Sequence, residues 1–288
     1  MNLSLPFFYK DIDTNPYNLN RALEEILKIL KTGIFSEPLN KDIFLNTFYI
    51  ISFIKNNYIR NKIVIAYSKS LYNKYIKSMN KIELLNLCKQ LNLKWDGEKM
   101  PIEIFLSNAP DSPHYYLYYL DVKDGFVYIE SHMLKRLIQE SITKYLTNYK
   151  LNINEKDMDS LNNIKNELMK IITKIESNKV KIKASDYPPC IKKILSDLYQ
   201  HKNLSHYARW VLAVYLFNIG MSMEKIKQLY SNLPDYNEKI TTYQLTHIFN
   251  RKYTMPSCNK MVMYGLCVSN CNISNPIRWR HESKRYSI

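Results

Sequence analysis

Apolar residues recur at three- and four-residue intervals along most of the chain, the spacing that predicts amphipathic α-helices. Only five glycines interrupt its 288 residues, so few positions favour a break in helical structure. The pattern predicts a mainly α protein. Its N-terminal part is expected to contain helices over residues 20–32, 41–55, 59–78, 80–91 and 157–177.

One segment departs from the helical pattern. In HYYLYYLDVKDGFVYIES, residues 114–131, β-prone aromatic residues flank an Asp124-Gly125 turn signal. We expect a small hairpin here, followed by a helix over 132–146, which together form a small α/β insert. The alternating aromatic and aliphatic residues also predict an outward face at Tyr116 and Tyr118 that contacts another subunit.

The polar stretch SNKVKIKASD suggests a boundary between two domains, residues 1–180 and 181–288. The second domain is expected to be all-helical. In NLSHYARWVLAVYLFNIG, Ser205 is a plausible N-cap and Gly220 a plausible C-terminal stop. Thr242 is placed to cap a further short helix, TTYQLTHIFNRKY.

Charge is distributed unevenly over these two parts. The chain has a formal net charge of +15, and residues 181–288 contribute 16 basic and 6 acidic side chains, a net +10. Such an excess favours a polyanionic partner, because lysine and arginine close to phosphates release condensed counterions. The abundance of Lys, Asn, Ile and Tyr offers another explanation, since an AT-rich genome produces surplus lysine without any nucleic-acid partner.

The cellular compartment is expected to be the cytoplasm. No run of eighteen or more apolar residues occurs, and the N-terminal MNLSLPFFYKDIDTN lacks the basic region of a secretory signal. In a reducing cytosol, clustered cysteines are more often metal ligands or catalytic groups than disulfides.

Four of the five cysteines belong to the second domain, where intervals of 67, 8 and 3 residues separate Cys190, Cys258, Cys267 and Cys271. No CxxC pair is present, although paired knuckles are usual in structural zinc sites. Four thiolates from two distant segments suit either a zinc ion or a [4Fe-4S] cluster, and the spacing does not separate the two. The fifth cysteine, Cys88, lies in an apolar helical pattern and is expected to be buried.

Two pairs of residues in the second domain are candidates for binding nucleotides. His206 and Arg209 fall in the first turn of a capped helix, where backbone N–H groups and a guanidinium suit a phosphate. Tyr243 and His247 share a helix face at i, i+4, which suits stacked bases. The alternatives are a packed histidine, a solvated arginine and a tyrosine that is simply common in this chain.

Several motifs occur together in this second domain: YPPC, LSHYARW, IGMSMEKI, TTYQLTHIF, YTMPSC, YGLC and CNISNPIRW. In this order they resemble the iron–sulfur domain of the archaeal and eukaryotic DNA primase large subunit, over about residues 185–280. KDGFVYIESHMLKRLIQESI resembles, more weakly, the α/β part of the same family's N-terminal domain. The chain is short for the family, and only three residues separate Cys267 from Cys271, where eukaryotic relatives have a long insertion.

The resemblance implies a [4Fe-4S] cluster bound by Cys190, Cys258, Cys267 and Cys271. It places His206 and Arg209 at the 5′-triphosphate of the initiating nucleotide and primer, with Tyr243 and His247 nearby as template–primer contacts. It also implies a heterodimer in which a separate small subunit performs catalysis during RNA primer synthesis for DNA replication. The N-terminal domain would bind that small subunit, and the chain itself would have no catalytic centre.

Two other classes of function stay open on sequence grounds. One is a zinc- or iron–sulfur-stabilised nucleic-acid-binding module unrelated to priming. The other is an iron–sulfur electron carrier, although the net +10 of the second domain disfavours docking to a basic redox partner.

Overall fold

The computed structural model describes residues 5–9, 11–110, 112–177 and 187–279. Contacts between residues divide the chain into two compact units, Met1–Ile171 and Ile172–Ile288. The predicted boundary between residues 180 and 181 lies outside the described residues and stays a prediction. Across the described parts the protein is mainly helical with one small sheet, as the apolar spacing predicted.

The N-terminal unit begins with four helices that match the predicted ones closely: α1 (Pro16–Thr32), α2 (Lys41–Ile54), α3 (Asn57–Lys74) and α4 (Lys81–Gln90). Each is preceded by an asparagine whose side chain accepts a hydrogen bond from a backbone N–H of the first turn. This is the favoured N-cap arrangement. The chain's high asparagine content therefore helps to define where its helices begin.

Helix α2 forms the centre of this unit, since most of its side chains are buried on every face. It packs against α1, and α3 packs against a later helix, α6 (Ser131–Asn148). The buried Tyr49 of α2 donates a hydrogen bond of 2.8 Å to Asp157, next to the start of α7 (Met158–Ser177). This polar pair satisfies a buried phenol and a buried carboxylate together.

The sheet has the antiparallel order β1-β3-β2, with β1 (Lys99–Pro101), β2 (Val122–Lys123) and β3 (Phe126–Tyr128). Asp124 and Gly125 join β2 to β3 with φ of 52° and 80°, which confirms the predicted hairpin turn. A short helix, α5 (Ile102–Asn108), follows β1.

The prediction of strand structure for HYYLYYL was wrong. Residues Pro113–Tyr115 and Leu117–Tyr119 form two 3-10 turns instead. Pro113 fixes a φ that suits the start of a helical turn. Strand β3 pairs with β1, more than twenty residues upstream, on one side and with the short β2 on the other, so HYYLYYL has no partner in the sheet.

The described residues of the C-terminal unit form five helices after α7: α8 (Pro189–Tyr199), α9 (His206–Asn218), α10 (Met223–Tyr230), α11 (Glu238–Arg251) and α12 (Cys258–Met263). Helix α9 lies at the centre of their core, with Val211, Leu212, Val214 and Leu216 almost fully buried. Its predicted ends are confirmed, because Ser205 caps its N-terminus and Gly220 follows its C-terminus with φ of 85°.

The N-cap predicted at Thr242 was wrong. The N-cap of α11 lies five residues earlier, at Asn237, which accepts a hydrogen bond of 3.0 Å from the Ile240 N–H. Within the described residues, no helix is both long and apolar enough to cross a membrane.

Candidate functional site: a polar and aromatic pocket and a cavity lined by cysteines

One pocket brings together all four residues predicted to bind nucleotides. It has a volume of about 290 Å³ and lies between the first turn of α9 and the middle of α11. His206 and Arg209 line it from α9, and Tyr243 and His247 line it from α11. Tyr243 is 73% exposed, so its ring is available to a ligand. Their roles in binding stay predictions.

Arg209 makes more contacts than its sequence position suggested. Its Nε donates a hydrogen bond of 2.9 Å to the Leu204 carbonyl oxygen. Its Nη2 donates to Asn203 Oδ1 at 2.6 Å and to Asp235 Oδ2 at 3.0 Å, and Nη2 lies 2.9 Å from Asp235 Oδ1. The guanidinium is therefore ion-paired with a side chain that is only 12% exposed.

Aromatic side chains that the sequence reasoning missed complete the pocket walls. Trp210 and Tyr253 both line it, with ring centroids 5.8 Å apart in a T-shaped arrangement. The His247 ring lies 5.8 Å from the same Tyr253. Trp210 follows Arg209 directly in LSHYARW, so a signal for it was present, whereas nothing in the sequence connected Tyr253 to this helix start.

Tyr230, the last residue of α10, also lines the pocket. Its hydroxyl donates a hydrogen bond to the backbone carbonyl oxygen of Arg209. Burial raises the pKa of Tyr230 far above its usual value, so the phenol stays a proton donor throughout the physiological range. The first turn of α9 is thus tied to the end of α10.

A second cavity, of about 310 Å³, is lined by Cys190, Cys258, Cys267 and Cys271. Cys190 lies in the first turn of α8, and Cys258 is the first residue of α12. The other two cysteines follow in the segment after α12, where each sulfur lies within 3.5 Å of the Ser269 carbonyl oxygen. The Cys258 N–H donates to the Ser274 carbonyl oxygen, which folds this segment back beside α12.

The thiols influence one another electrostatically. The pKa of Cys190 is raised to about 11, chiefly by burial; the Ile191 N–H lowers it, and the neighbouring Cys258, Cys267 and Cys271 each raise it by a smaller amount. Burial also raises the pKa of Cys258, again with contributions from Cys267 and Cys271. Like charges disfavour one another, so four thiolates at this spacing require a compensating positive charge.

The donor chemistry of this cavity suits a soft metal group. Among the described residues that line it there is neither histidine nor carboxylate, so sulfur is its characteristic ligand. In the same described part of the chain, no group of three or more His, Cys, Asp or Glu is arranged to hold a single metal ion. Cys88 is separate from these thiols: it lies in α4, and its side chain is 1% exposed, as predicted.

The part of the chain that forms the pocket and the cysteine-lined cavity is similar to a known protein family. Residues 180–283 match the family described as the C-terminal domain of the large subunit of eukaryotic and archaeal DNA primase. The match includes all four cysteines of the cavity and all four predicted residues of the pocket.

Individual relatives are archaeal proteins described as DNA primase large subunit PriL. The protein of Methanopyrus kandleri is 27% identical over 170 residues, which cover 54% of this chain and 40% of the relative. That of Archaeoglobus fulgidus is 37% identical over 105 residues, covering 35% and 28%. That of Haloarcula marismortui is 22% identical over 280 residues, covering 86% and 78%. The chain thus spans less than half the length of the first two relatives.

Proposed function

Since residues 180–283 match the family of the C-terminal domain of the eukaryotic and archaeal DNA primase large subunit, we propose that this protein acts as the large subunit of a DNA primase. In this role its C-terminal unit binds template DNA, the initiating nucleotide and the 5′-triphosphate end of the growing RNA primer. Phosphoryl transfer takes place on a separate small catalytic subunit, with which the chain forms a heterodimer.

The observation that supports this proposal is the shared pocket of His206, Arg209, Tyr243 and His247. A volume of about 290 Å³ lies near the lower end of the range for small-molecule sites. Donors at one wall and aromatic rings at the other match the two halves of a nucleotide, a polyphosphate and a base.

The phosphate side of the pocket lies at the N-terminus of α9. The helix dipole places partial positive charge there, which stabilises an anion. Arg209 and His206 add donors that can form charge-assisted hydrogen bonds with phosphate oxygens. The base side is formed by rings such as Tyr243 and Tyr253, since any nucleobase offers a π-face for stacking.

Cys190, Cys258, Cys267 and Cys271 would hold the [4Fe-4S] cluster in this proposal. Their cavity offers sulfur ligands and, at about 310 Å³, far more room than a single ion requires. When bound, the cluster supplies positive iron centres that neutralise the thiolates and a covalent connection between α8 and the segment after α12. Its role here is structural: it closes a loop of roughly eighty residues and so removes unfolded conformations.

The proposal is tested by comparing the binding of two duplexes that differ only in the chemical group at the 5′ end of the RNA strand. A short RNA–DNA duplex is prepared with either a 5′-triphosphate or a 5′-hydroxyl on the RNA strand. Dissociation constants are then measured for wild type and Arg209→Ala at one fixed salt concentration, because general phosphate attraction varies with salt. Arg209→Ala removes one or two charge-assisted hydrogen bonds, so affinity for the triphosphate duplex should fall about tenfold or more.

The 5′-hydroxyl duplex should bind Arg209→Ala nearly as well as wild type, and His206→Ala should act in the same direction. Lys193→Ala serves as a matched control, because it removes a positive charge from α8 and Lys193 does not line the pocket. An equal loss for both duplexes would mean that Arg209 is only part of a basic surface, and the nucleotide-binding role would then be rejected.

A further inference from the structure

The guanidinium of Arg209 is held along one of its edges by three neighbours. The Leu204 carbonyl accepts from Nε, and the side chains of Asn203 and Asp235 accept from Nη2. These contacts use three of the five N–H donors of the group. Within the described part of the chain, Nη1 has no hydrogen-bond partner, and Arg209 itself lines the pocket.

The three acceptors belong to residues that do not line the pocket. Neither Asn203 nor Asp235 is among the described residues that line the pocket. Asn203 and Leu204 precede the Ser205 cap, whereas Asp235 comes from the connection between α10 and α11. The arginine is therefore fixed from two separate parts of the chain.

The backbone of Arg209 is fixed as well. Besides its helical hydrogen bonds, its carbonyl oxygen accepts one from the buried hydroxyl of Tyr230. An unrestrained arginine loses considerable rotamer freedom when it binds a ligand. Restraint before binding removes that cost, which is the general basis of preorganisation.

We propose that Asn203 and Asp235 are positioning residues that hold Arg209 so that its Nη1 donors point toward the terminal phosphates of a 5′-triphosphate. This inference rests on the proposed function, because it requires Arg209 to contact the triphosphate. It assigns a role to two residues that do not touch the ligand themselves.

Asn203 allows the clearest test because it is exposed and uncharged. Replacing it with alanine removes one restraint on Arg209 and leaves the net charge of the protein unchanged. Replacing Asp235 would also remove a negative charge near the phosphates, which by itself would strengthen anion binding and obscure the effect.

The experiment measures the affinities of the full chain for the 5′-triphosphate and 5′-hydroxyl duplexes and takes their ratio as the preference. We expect Asn203→Ala to lower the preference by about threefold to tenfold, which corresponds to the net contribution of one typical intramolecular hydrogen bond. Gln200→Ala is the matched control, since this exposed amide contacts Ser196 within its own helix and should leave the preference unchanged.

A double-mutant cycle separates positioning from a general structural effect. In an Arg209→Ala background, the further change Asn203→Ala should leave the preference unaltered, because there is no guanidinium left to position. A loss of similar size in both backgrounds would overturn the inference, as would an unchanged preference in the Asn203→Ala single variant. Either result leaves the proposed function intact if Arg209→Ala alone lowers the preference. An Arg209→Ala variant with unchanged preference would reject the proposed function as well.

Discussion

At the scale of single residues, burial changes the pKa of a cysteine thiol, an effect that composition alone does not reveal. The thiol of Cys88 is buried in α4, and burial raises its pKa to about 12. In an unfolded chain the same thiol titrates near ~8.5. The folded protein therefore holds this proton over a pH range in which the unfolded chain releases it.

The sign of the resulting pH dependence follows directly. The protonated thiol stabilises the fold fully below the unfolded pKa, and that contribution is lost as pH rises toward the folded value. Between pH 8 and 10.5, wild type should lose about 2.5 kcal/mol more unfolding free energy than Cys88→Ala. Urea unfolding of both proteins at the two pH values measures this difference, and parallel losses would contradict it.

For the candidate site, the sequence predicted the residues that line the pocket but not the residues that hold Arg209 in place. The residues His206, Arg209, Tyr243 and His247 were identified from helix-start chemistry, i, i+4 spacing and family resemblance, and they line one pocket. Asp235 was missed because it is 26 residues from Arg209, and only the turn between α10 and α11 brings it close. Pairings of this kind depend on tertiary packing, which no local pattern contains.

Among the elements, the long helices were predicted well and the short segments poorly. Helices α1 to α4 each contain many apolar residues and begin after a capping asparagine, so local and global signals agree. Strand β1 has three residues and ends in Pro101, too little for a period to be recognised. HYYLYYL shows the opposite error, because strand propensity depends on a neighbouring strand that this segment lacks.

The two 3-10 turns that begin at Pro113 change which tyrosines face outward for the predicted contact with another subunit. Tyr118 is 88% exposed and Tyr119 is 63% exposed, with ring centroids 5.1 Å apart, whereas Tyr116 is half-buried. Adjacent exposed aromatic rings are typical of interface anchors. The outward pair is therefore Tyr118 and Tyr119 rather than Tyr116 and Tyr118.

We expect Tyr118→Asp/Tyr119→Asp to weaken binding to the proposed small catalytic subunit by a hundredfold or more, about 3 kcal/mol, without altering helical content. Copurification and titration with the small subunit would measure the loss. Tyr17→Asp is a suitable control, because Tyr17 is a tyrosine of the same unit that is 68% exposed and lies at the start of α1. Undiminished binding by the double variant would rule out this surface.

At the scale of the whole molecule, the two compact units should respond separately to loss of the proposed cluster. We expect Cys258→Ser to lower iron content and to destabilise the C-terminal unit by several kcal/mol, since metal binding free energy contributes to folding. The N-terminal unit should keep its own thermal transition, because the four thiols that line the cavity all lie within Ile172–Ile288.

Calorimetry together with iron and sulfide analysis of anaerobically purified protein would measure both effects. Cys88→Ser is the matched control, because it changes a cysteine outside the cavity and should leave the iron content unchanged. Zinc without iron or sulfide in the wild-type protein would show that the cluster assignment is wrong.

The cavity of the four cysteines also has a consequence for the order of events during synthesis. Cys190 belongs to α8, but its partners in the cavity lie beyond α9, α10 and α11 in the chain. A nascent chain cannot form the cavity until Cys271 has been made and the three intervening helices have packed, and such long-range closure is slow. Cluster insertion would therefore come late, after this unit has folded, and only correctly folded molecules would be able to receive it.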